Sequence, residues 1–145
     1  MDCLMPKTYL LDTCIWRDFY EGRFSKEGKP FGKYATKLFM KILKSESIII
    51  FSEALIRELK RDYLEQDIYD MLNLLVINHS LIKVEIKKEE FLEAKQLSNN
   101  QDLPFVDCLN AVQARNHNAI LVSQDHHFFK KLSDIRKPFK PEEIT

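Results

Sequence analysis

The stretch KTYLLDTCIW, residues 7–16, contains the features that decide the fold. Its apolar segment predicts a short buried strand, and the residues that follow predict a short helix capped by Asp12 or Thr13. A similar pattern recurs near the other end of the chain in AILVSQD, residues 119–125, where an apolar strand leads to Asp125. An aspartate at such a junction is commonly a helix cap. Because Asp12 and Asp125 both follow a predicted strand, they could alternatively belong to one functional site.

Strands and helices alternate along the rest of the chain. Four strands are predicted, and the β-branched run SIIIFS is the strongest of these signals. The predicted strands lie within residues 8–12, 47–52, 81–86 and 119–123. Helices are predicted within residues 13–20, 35–43, 52–64, 68–75, 87–98, 104–116 and 126–132, with loops at 21–32 and 99–104 and a tail at 136–145.

The alternation of elements indicates the fold class. Continuous apolar strands between helices are typical of an α/β protein, in which a parallel sheet is covered on both faces. The 145 residues are a suitable length for one domain, so residues 1–145 are assigned to a single domain. Right-handed crossovers bring the carboxyl ends of parallel strands to one edge, where open α/β sheets bind ligands.

Four acidic side chains are expected at that edge. Asp12 and Asp125 follow strands, and Glu58 lies on the helix after the second strand. Asp107 opens the helix that precedes the last strand, with Ala111 and Ala114 on its face. Taken singly, each acid has a simpler interpretation as a helix cap, a solvated side chain or a favourable charge near a helix start. The functional interpretation depends on all four arriving together.

Clustered carboxylates imply a cation. Partly buried acids repel one another, so some take up a proton unless a positive charge compensates. Hard oxygen ligands suit Mg²⁺ or Mn²⁺, and Mg²⁺ sites typically combine a few carboxylates with substrate phosphates. The pattern therefore favours phosphodiester chemistry. Nucleophilic catalysis is disfavoured, because the sequence contains no GxSxG motif and no glycine-rich phosphate loop.

The composition of the chain restricts which partners and which cellular compartment are expected. The formal net charge is zero, so any surface that binds nucleic acid must be local. The cysteines Cys3, Cys14 and Cys108 form no CxxC pair, and we expect reduced, mostly buried thiols. No apolar run is long enough to span a bilayer, and the start of the chain, MDCLMPK, is unlike a signal peptide. We therefore expect a cytoplasmic protein with no membrane partner.

The same segments carry a resemblance to a known family. YLLDTCIW resembles the opening strand–aspartate segment of PIN-domain ribonucleases, a family that includes the VapC-type toxins of prokaryotic toxin–antitoxin pairs. FSEALIRELKR resembles the second block of the family, in which Ser52 precedes Glu58. LPFVDCLNAVQA resembles the third block, with Asp107, and AILVSQDHHFF the last, with Asp125.

The resemblance implies both a fold and an activity. It implies a Rossmann-like α/β/α sandwich of three layers, with a central, mainly parallel sheet of four to five strands. It also implies endonucleolytic hydrolysis of RNA by water that Mg²⁺ or Mn²⁺ activates, with an antitoxin partner and frequent homodimers. The implied catalytic and metal-binding residues are Asp12, Glu58, Asp107 and Asp125, supported by the hydroxyls of Thr13 and Ser123.

Two other functions remain open at this point. The chain could be a binding module for RNA or protein that keeps the scaffold without catalysis, although a negative pocket does not help a protein to bind a polyanion. A receiver-like or phosphatase domain is disfavoured, because Asp12 begins no DxD pair. His126 and His127 are expected on an exposed turn, while Trp16 and Phe19 are expected in packing contacts rather than in base stacking.

Overall fold

A sheet of five parallel strands forms the centre of the computed structural model, which describes residues 5–145. The strand order is β3-β2-β1-β4-β5. In the central strand, Leu11 lies opposite Val122 of β4, so these two strands end side by side. The strands are β1 (Thr8–Leu11), β2 (Ile48–Phe51), β3 (Leu81–Lys83), β4 (Ile120–Val122) and β5 (Pro138–Phe139).

Helices connect the strands and cover both faces of the sheet, which confirms the predicted α/β sandwich. The α1 helix begins directly after β1, α3 after β2 and α7 just after β4. The helices are α1 (Thr13–Glu21), α2 (Phe31–Lys44), α3 (Glu53–Lys60), α4 (Glu65–Ile77), α5 (Lys88–Gln101), α6 (Phe105–Asn116) and α7 (His126–Lys130), followed by a 3₁₀ turn at Pro141–Glu143.

Each face of the sheet has its own apolar core. Tyr9 of β1 belongs to the core formed with α1 to α4, whereas its neighbour Leu10 belongs to the core formed with α6. This alternation follows from the two-residue period of a strand. Trp16 is fully buried in the first core, where its ring lies 5.2 Å from that of Phe39. Its predicted packing role is therefore confirmed.

The second core explains why α6 lies so close to the sheet. Cys108, Ala111 and Ala114 are fully buried against the strands. Small side chains at these places allow the helix backbone to approach, as the sequence indicated. Cys108 is a free buried thiol and Cys14 a half-buried one, while Cys3 and the first residues of the MDCLMPK segment lie outside the described residues.

Several predicted boundaries were wrong: for example, α2 already begins at Phe31, inside the loop expected at 21–32, and α3 ends at Lys60. The loop expected at 99–104 is partly helical, because α5 continues to Gln101 and ends at Asp102, which adopts a left-handed conformation with φ 54°. The tail contains β5, which pairs with β4 at the sheet edge, where Pro138 costs no ladder hydrogen bond. The β3 strand stops at Lys83, before the predicted end at 86, although the Val84 N–H still donates a hydrogen bond to the Phe51 carbonyl of β2 at 2.8 Å.

Within residues 5–145, none of the helices combines the length and the apolar composition needed to cross a bilayer.

Candidate metal centre

Three carboxylates meet where β1 and β4 end. Asp12 caps α1 by accepting a hydrogen bond from the Thr13 N–H at 2.9 Å, and Asp125 caps α7 by accepting one from the His127 N–H at 2.9 Å. Asp107 lies in the first turn of α6. One carboxylate oxygen of each aspartate lies within 4.8 Å of the others. Capping and clustering therefore occur together at this edge of the sheet.

Glu58 lines the same cavity as the three aspartates. The cavity has a volume of about 260 Å³ and is lined by all four predicted acids, but Glu58 lies outside the close group of three. The Thr13 hydroxyl donates a hydrogen bond to Glu58 Oε1 at 2.5 Å. Thr13 therefore fixes the direction of this carboxylate from the first turn of α1.

The two arginines that line the cavity are paired with other acids. Arg17 forms an ion pair with Asp62 at 2.7 Å, and Arg23 forms one with Glu21 at 3.2 Å. In the part of the chain that the structure describes, no lysine or arginine forms an ion pair with any of the four cavity acids. The four cavity acids are therefore not part of a salt-bridge network with lysine or arginine among the described residues.

Neutral groups hold Asp12 in place. The Ser123 hydroxyl donates to Asp12 Oδ2 at 2.9 Å, and the Cys14 thiol donates to the same oxygen at 3.2 Å. The Asn110 amide donates to Asp12 Oδ1 at 3.4 Å. These donors stabilise an ionised carboxylate in a buried position. Cys14 is thus a polar partner of Asp12 as well as a packing residue.

Burial makes negative charge costly at this site. It raises the pKa of Asp12 to about 6, even though the hydrogen bonds from Cys14, Ser123 and Thr13 oppose the shift. Burial, together with the charges of Asp12 and Asp125, raises the pKa of Asp107 to about 7. A divalent cation would remove this penalty, and aspartate oxygens are the ligands that Mg²⁺ and Mn²⁺ prefer. The donor set therefore fits such an ion.

His127 is a member of this site that the sequence analysis placed on an exposed turn. Its Nδ1 lies 3.4 Å from Asp107 Oδ2 and 3.5 Å from Asp125 Oδ1. The expectation of an exposed turn was wrong for His127 and right for His126, whose side chain is 70% exposed. The His126 Nδ1 also lies 3.7 Å from Asp125 Oδ1, but of the two rings only that of His127 contacts Asp107 as well.

Asn110 was also missed, although the sequence contained a usable signal. It follows Asp107 by three positions on a helix, a spacing that places both side chains on one face. The small and apolar residues near Asp107 on this helix indicated only close packing. His127 had no comparable signal, since the sequence alone does not say which histidine of the pair faces inward.

Comparison with known proteins assigns the family. Residues 9–134 match the PIN domain, and the chain therefore belongs to the PIN-domain family. The resemblance noted in the sequence is thereby confirmed. No curated protein matches the chain.

Two solved structures share the fold. A toxin–antitoxin complex from Klebsiella pneumoniae contains a chain that is 15% identical, with a TM-score of 0.60 over 92% of this chain and 97% of that one. VapBC2 from Rickettsia felis, bound to a DNA fragment from its promoter, is 16% identical, with a TM-score of 0.58 over 92% and 96% of the two chains. At such low identity, the likeness concerns the fold.

Proposed function

We propose that this protein is an endoribonuclease that depends on Mg²⁺ or Mn²⁺ and hydrolyses RNA phosphodiesters. The observation that carries the proposal is the group of Asp12, Asp107 and Asp125, each with one oxygen within 4.8 Å of the others. No lysine or arginine among residues 5–145 neutralises the group by an ion pair. Membership of the PIN-domain family supports the same activity.

The three aspartates would hold the cation, directly or through water. When bound, Mg²⁺ or Mn²⁺ lowers the pKa of water, orients the reactants and neutralises charge on the phosphate. Ser123 keeps Asp12 in position, and Thr13 does the same for Glu58 through its bond to Oε1. Among the described residues Glu58 Oε2 has no hydrogen-bond partner, so it is available to accept one from water or from a substrate hydroxyl.

The proposal extends to partners and organisation. We propose that the protein is the toxin of a toxin–antitoxin pair, because a chain of the same fold occurs in the toxin–antitoxin complex from Klebsiella pneumoniae. A homodimer and a single PIN domain over residues 1–145 belong to the same proposal. The antitoxin would suppress cleavage, and a dimer would have a doubled mass in solution.

A cleavage assay with a matched variant tests the activity. Purified protein is incubated with single-stranded RNA or DNA in Mg²⁺, Mn²⁺ or chelator, and Asp12→Asn is compared with Asp70→Asn. Asp70 is an exposed residue of α4 and does not line the cavity. We expect RNA cleavage that requires metal. Asp12→Asn should lose more than the roughly hundredfold that loss of an outer-shell metal partner can cost.

The outcomes separate the two main functions. Metal-dependent cleavage by the parent and by Asp70→Asn, but not by Asp12→Asn, supports the nuclease. Equal cleavage by all three proteins would point to a contaminating nuclease and contradict the proposal. RNA binding without cleavage under any metal condition would instead favour a non-enzymatic binding module.

A further inference from the structure

A second, larger cavity adjoins the acid cluster. It has a volume of about 690 Å³ and lies between α3 and the starts of α5 and α6. Glu58 and Pro104 line both this cavity and the one that contains the aspartates. The two spaces are therefore neighbours on one side of the protein. We name the larger one the aromatic cavity.

The apolar lining of the aromatic cavity includes an exposed aromatic ring that is not part of either core. Phe91 of α5 is 45% exposed and belongs to neither apolar core. Its ring lies 5.1 Å from that of Phe105, which packs against the second core. Phe105 therefore anchors Phe91 from one side, and the exposed surface of Phe91 remains available to a ligand.

Two unpaired arginines line the same cavity. Arg57 and Arg61 are exposed on α3, and neither forms an ion pair with an acid within residues 5–145. Glu53 pairs with Lys83 at 2.6 Å, and one oxygen of Glu58 accepts a hydrogen bond from Thr13, so neither of these acids forms an ion pair with the two arginines. Although Glu53 and Glu58 also line the cavity, Arg57 and Arg61 are the cationic side chains there that are available to contact an anion.

We propose that the aromatic cavity holds one nucleobase of single-stranded RNA next to the acid cluster. The base stacks on Phe91, and the flanking phosphates contact Arg57 and Arg61. The inference rests on the proposed function, because it assigns a substrate subsite to the proposed nuclease. Every base has a face that can stack, so the subsite anchors RNA without strong sequence preference.

Three features favour RNA over a protein segment as the occupant. The volume lies within the roughly 300–1,000 Å³ of small-molecule sites, so a nucleoside fits. The aromatic ring matches a base, and the two guanidinium groups match its phosphates. A purely apolar helix in the cavity would make no use of the guanidinium groups. The shared wall with the acid cavity also lets one strand occupy both spaces.

Equilibrium binding tests the subsite without requiring catalysis. The probe is a fluorescently labelled single-stranded RNA of mixed sequence, titrated in chelator and followed by anisotropy. Phe91→Ala is compared with Leu92→Ala, a neighbouring exposed apolar residue of α5 that does not line the cavity. We expect Phe91→Ala to bind about tenfold more weakly than the parent, whereas Leu92→Ala binds like the parent.

A second arm locates the stacked base. In a series of probes, each carries one abasic position within a fixed sequence. The parent should lose affinity for one abasic probe, and Phe91→Ala should bind that probe and the intact probe equally well. Arg57→Gln should lower the slope of log affinity against log salt concentration by about 0.7, whereas Lys60→Gln, outside the cavity lining, should leave it unchanged.

The results separate this inference from the proposed function. Position-specific abasic sensitivity that disappears in Phe91→Ala supports the subsite, even if the parent cleaves no RNA. Equal RNA affinity of the parent and Phe91→Ala would overturn the subsite, even if cleavage is intact. The subsite would also be overturned if Phe91→Ala weakened binding to a protein partner but not binding to RNA. Thermal unfolding of each variant excludes misfolding as the cause.

Discussion

Ser123 joins the ends of two neighbouring strands through a single hydroxyl. Its Oγ donates a hydrogen bond to Asp12 Oδ2 at 2.9 Å and accepts one from the backbone N–H of Asp125 at 2.9 Å. Asp12 and Ser123 are 111 positions apart in the chain. The parallel pairing of β1 with β4 brings them together, and the fully buried hydroxyl fixes both acids relative to each other.

The first prediction concerns this hydroxyl. Ser123→Ala removes a hydrogen bond that stabilises ionised Asp12, so Mn²⁺ affinity should fall by about 10- to 100-fold, as for other outer-shell partners. Titration calorimetry measures the change. Ser52→Ala is the control, because Ser52 caps α3 away from the cavity. The control should lose about 1 kcal/mol of stability and keep the parent's Mn²⁺ affinity. Unchanged affinity in Ser123→Ala would show that the hydroxyl has no such role.

The second prediction distinguishes the two adjacent histidines. The hydrogen bond of His127 to Asp107 lowers the pKa of that carboxyl against the larger effect of burial. His127→Ala should therefore raise the pKa of Asp107 and move the acidic limb of the pH–activity profile to higher pH. His126→Ala removes a largely exposed ring that contacts Asp125 but not Asp107, so it should move the profile less than His127→Ala does. Identical profiles for the two variants would refute the assignment of His127 to the site.

The third prediction concerns stability without metal. The pKa of Asp107 is raised from 3.8 to about 7, so the folded state holds its proton more tightly than the unfolded state does. That contribution is present below about pH 4 and is lost as the pH rises through about 7. In chelator, Asp107→Asn should therefore be more stable than the parent at pH 8, by on the order of 2 kcal/mol, and similar to it at pH 4.

Chemical denaturation at pH 4 and pH 8 measures this difference. Asp70→Asn is the control and should follow the parent at both values, since Asp70 is exposed. Added Mn²⁺ should stabilise the parent at pH 8 and stabilise Asp107→Asn much less. A parent that is at least as stable as Asp107→Asn at pH 8 in chelator would contradict the account of a charge penalty at this site.

The sequence was sufficient to predict the central fold and the meeting of the strand-end acids. The runs TYLL and SIIIF have the apolar continuity of strands buried on both faces, and parallel connectivity places Asp12 near Asp125. Periodicity also located α6 and the close approach that its alanines allow. These features depend on local pattern and on rules of chain connection, which a sequence displays directly.

Other features depend on contacts that no local pattern records. Pro138 and Phe139 form a strand only because the edge of β4 is available to them. That His127 reaches Asp107 while His126 contacts only Asp125 among the three aspartates depends on how α6 and α7 lie relative to each other. The distance of Glu58 from the three aspartates likewise follows from how α3 packs, and spacing along the chain could not supply it.

Titration of Mn²⁺ into the metal-free protein, followed by calorimetry, is the most direct test of the central claim that Asp12, Asp107 and Asp125 hold one cation site. The account predicts saturable binding at pH 7.5 in the parent and in Asp70→Asn, and its loss in Asp12→Asn with the fold retained by circular dichroism. Absence of saturable binding in the parent, or equal binding in Asp12→Asn, would contradict it.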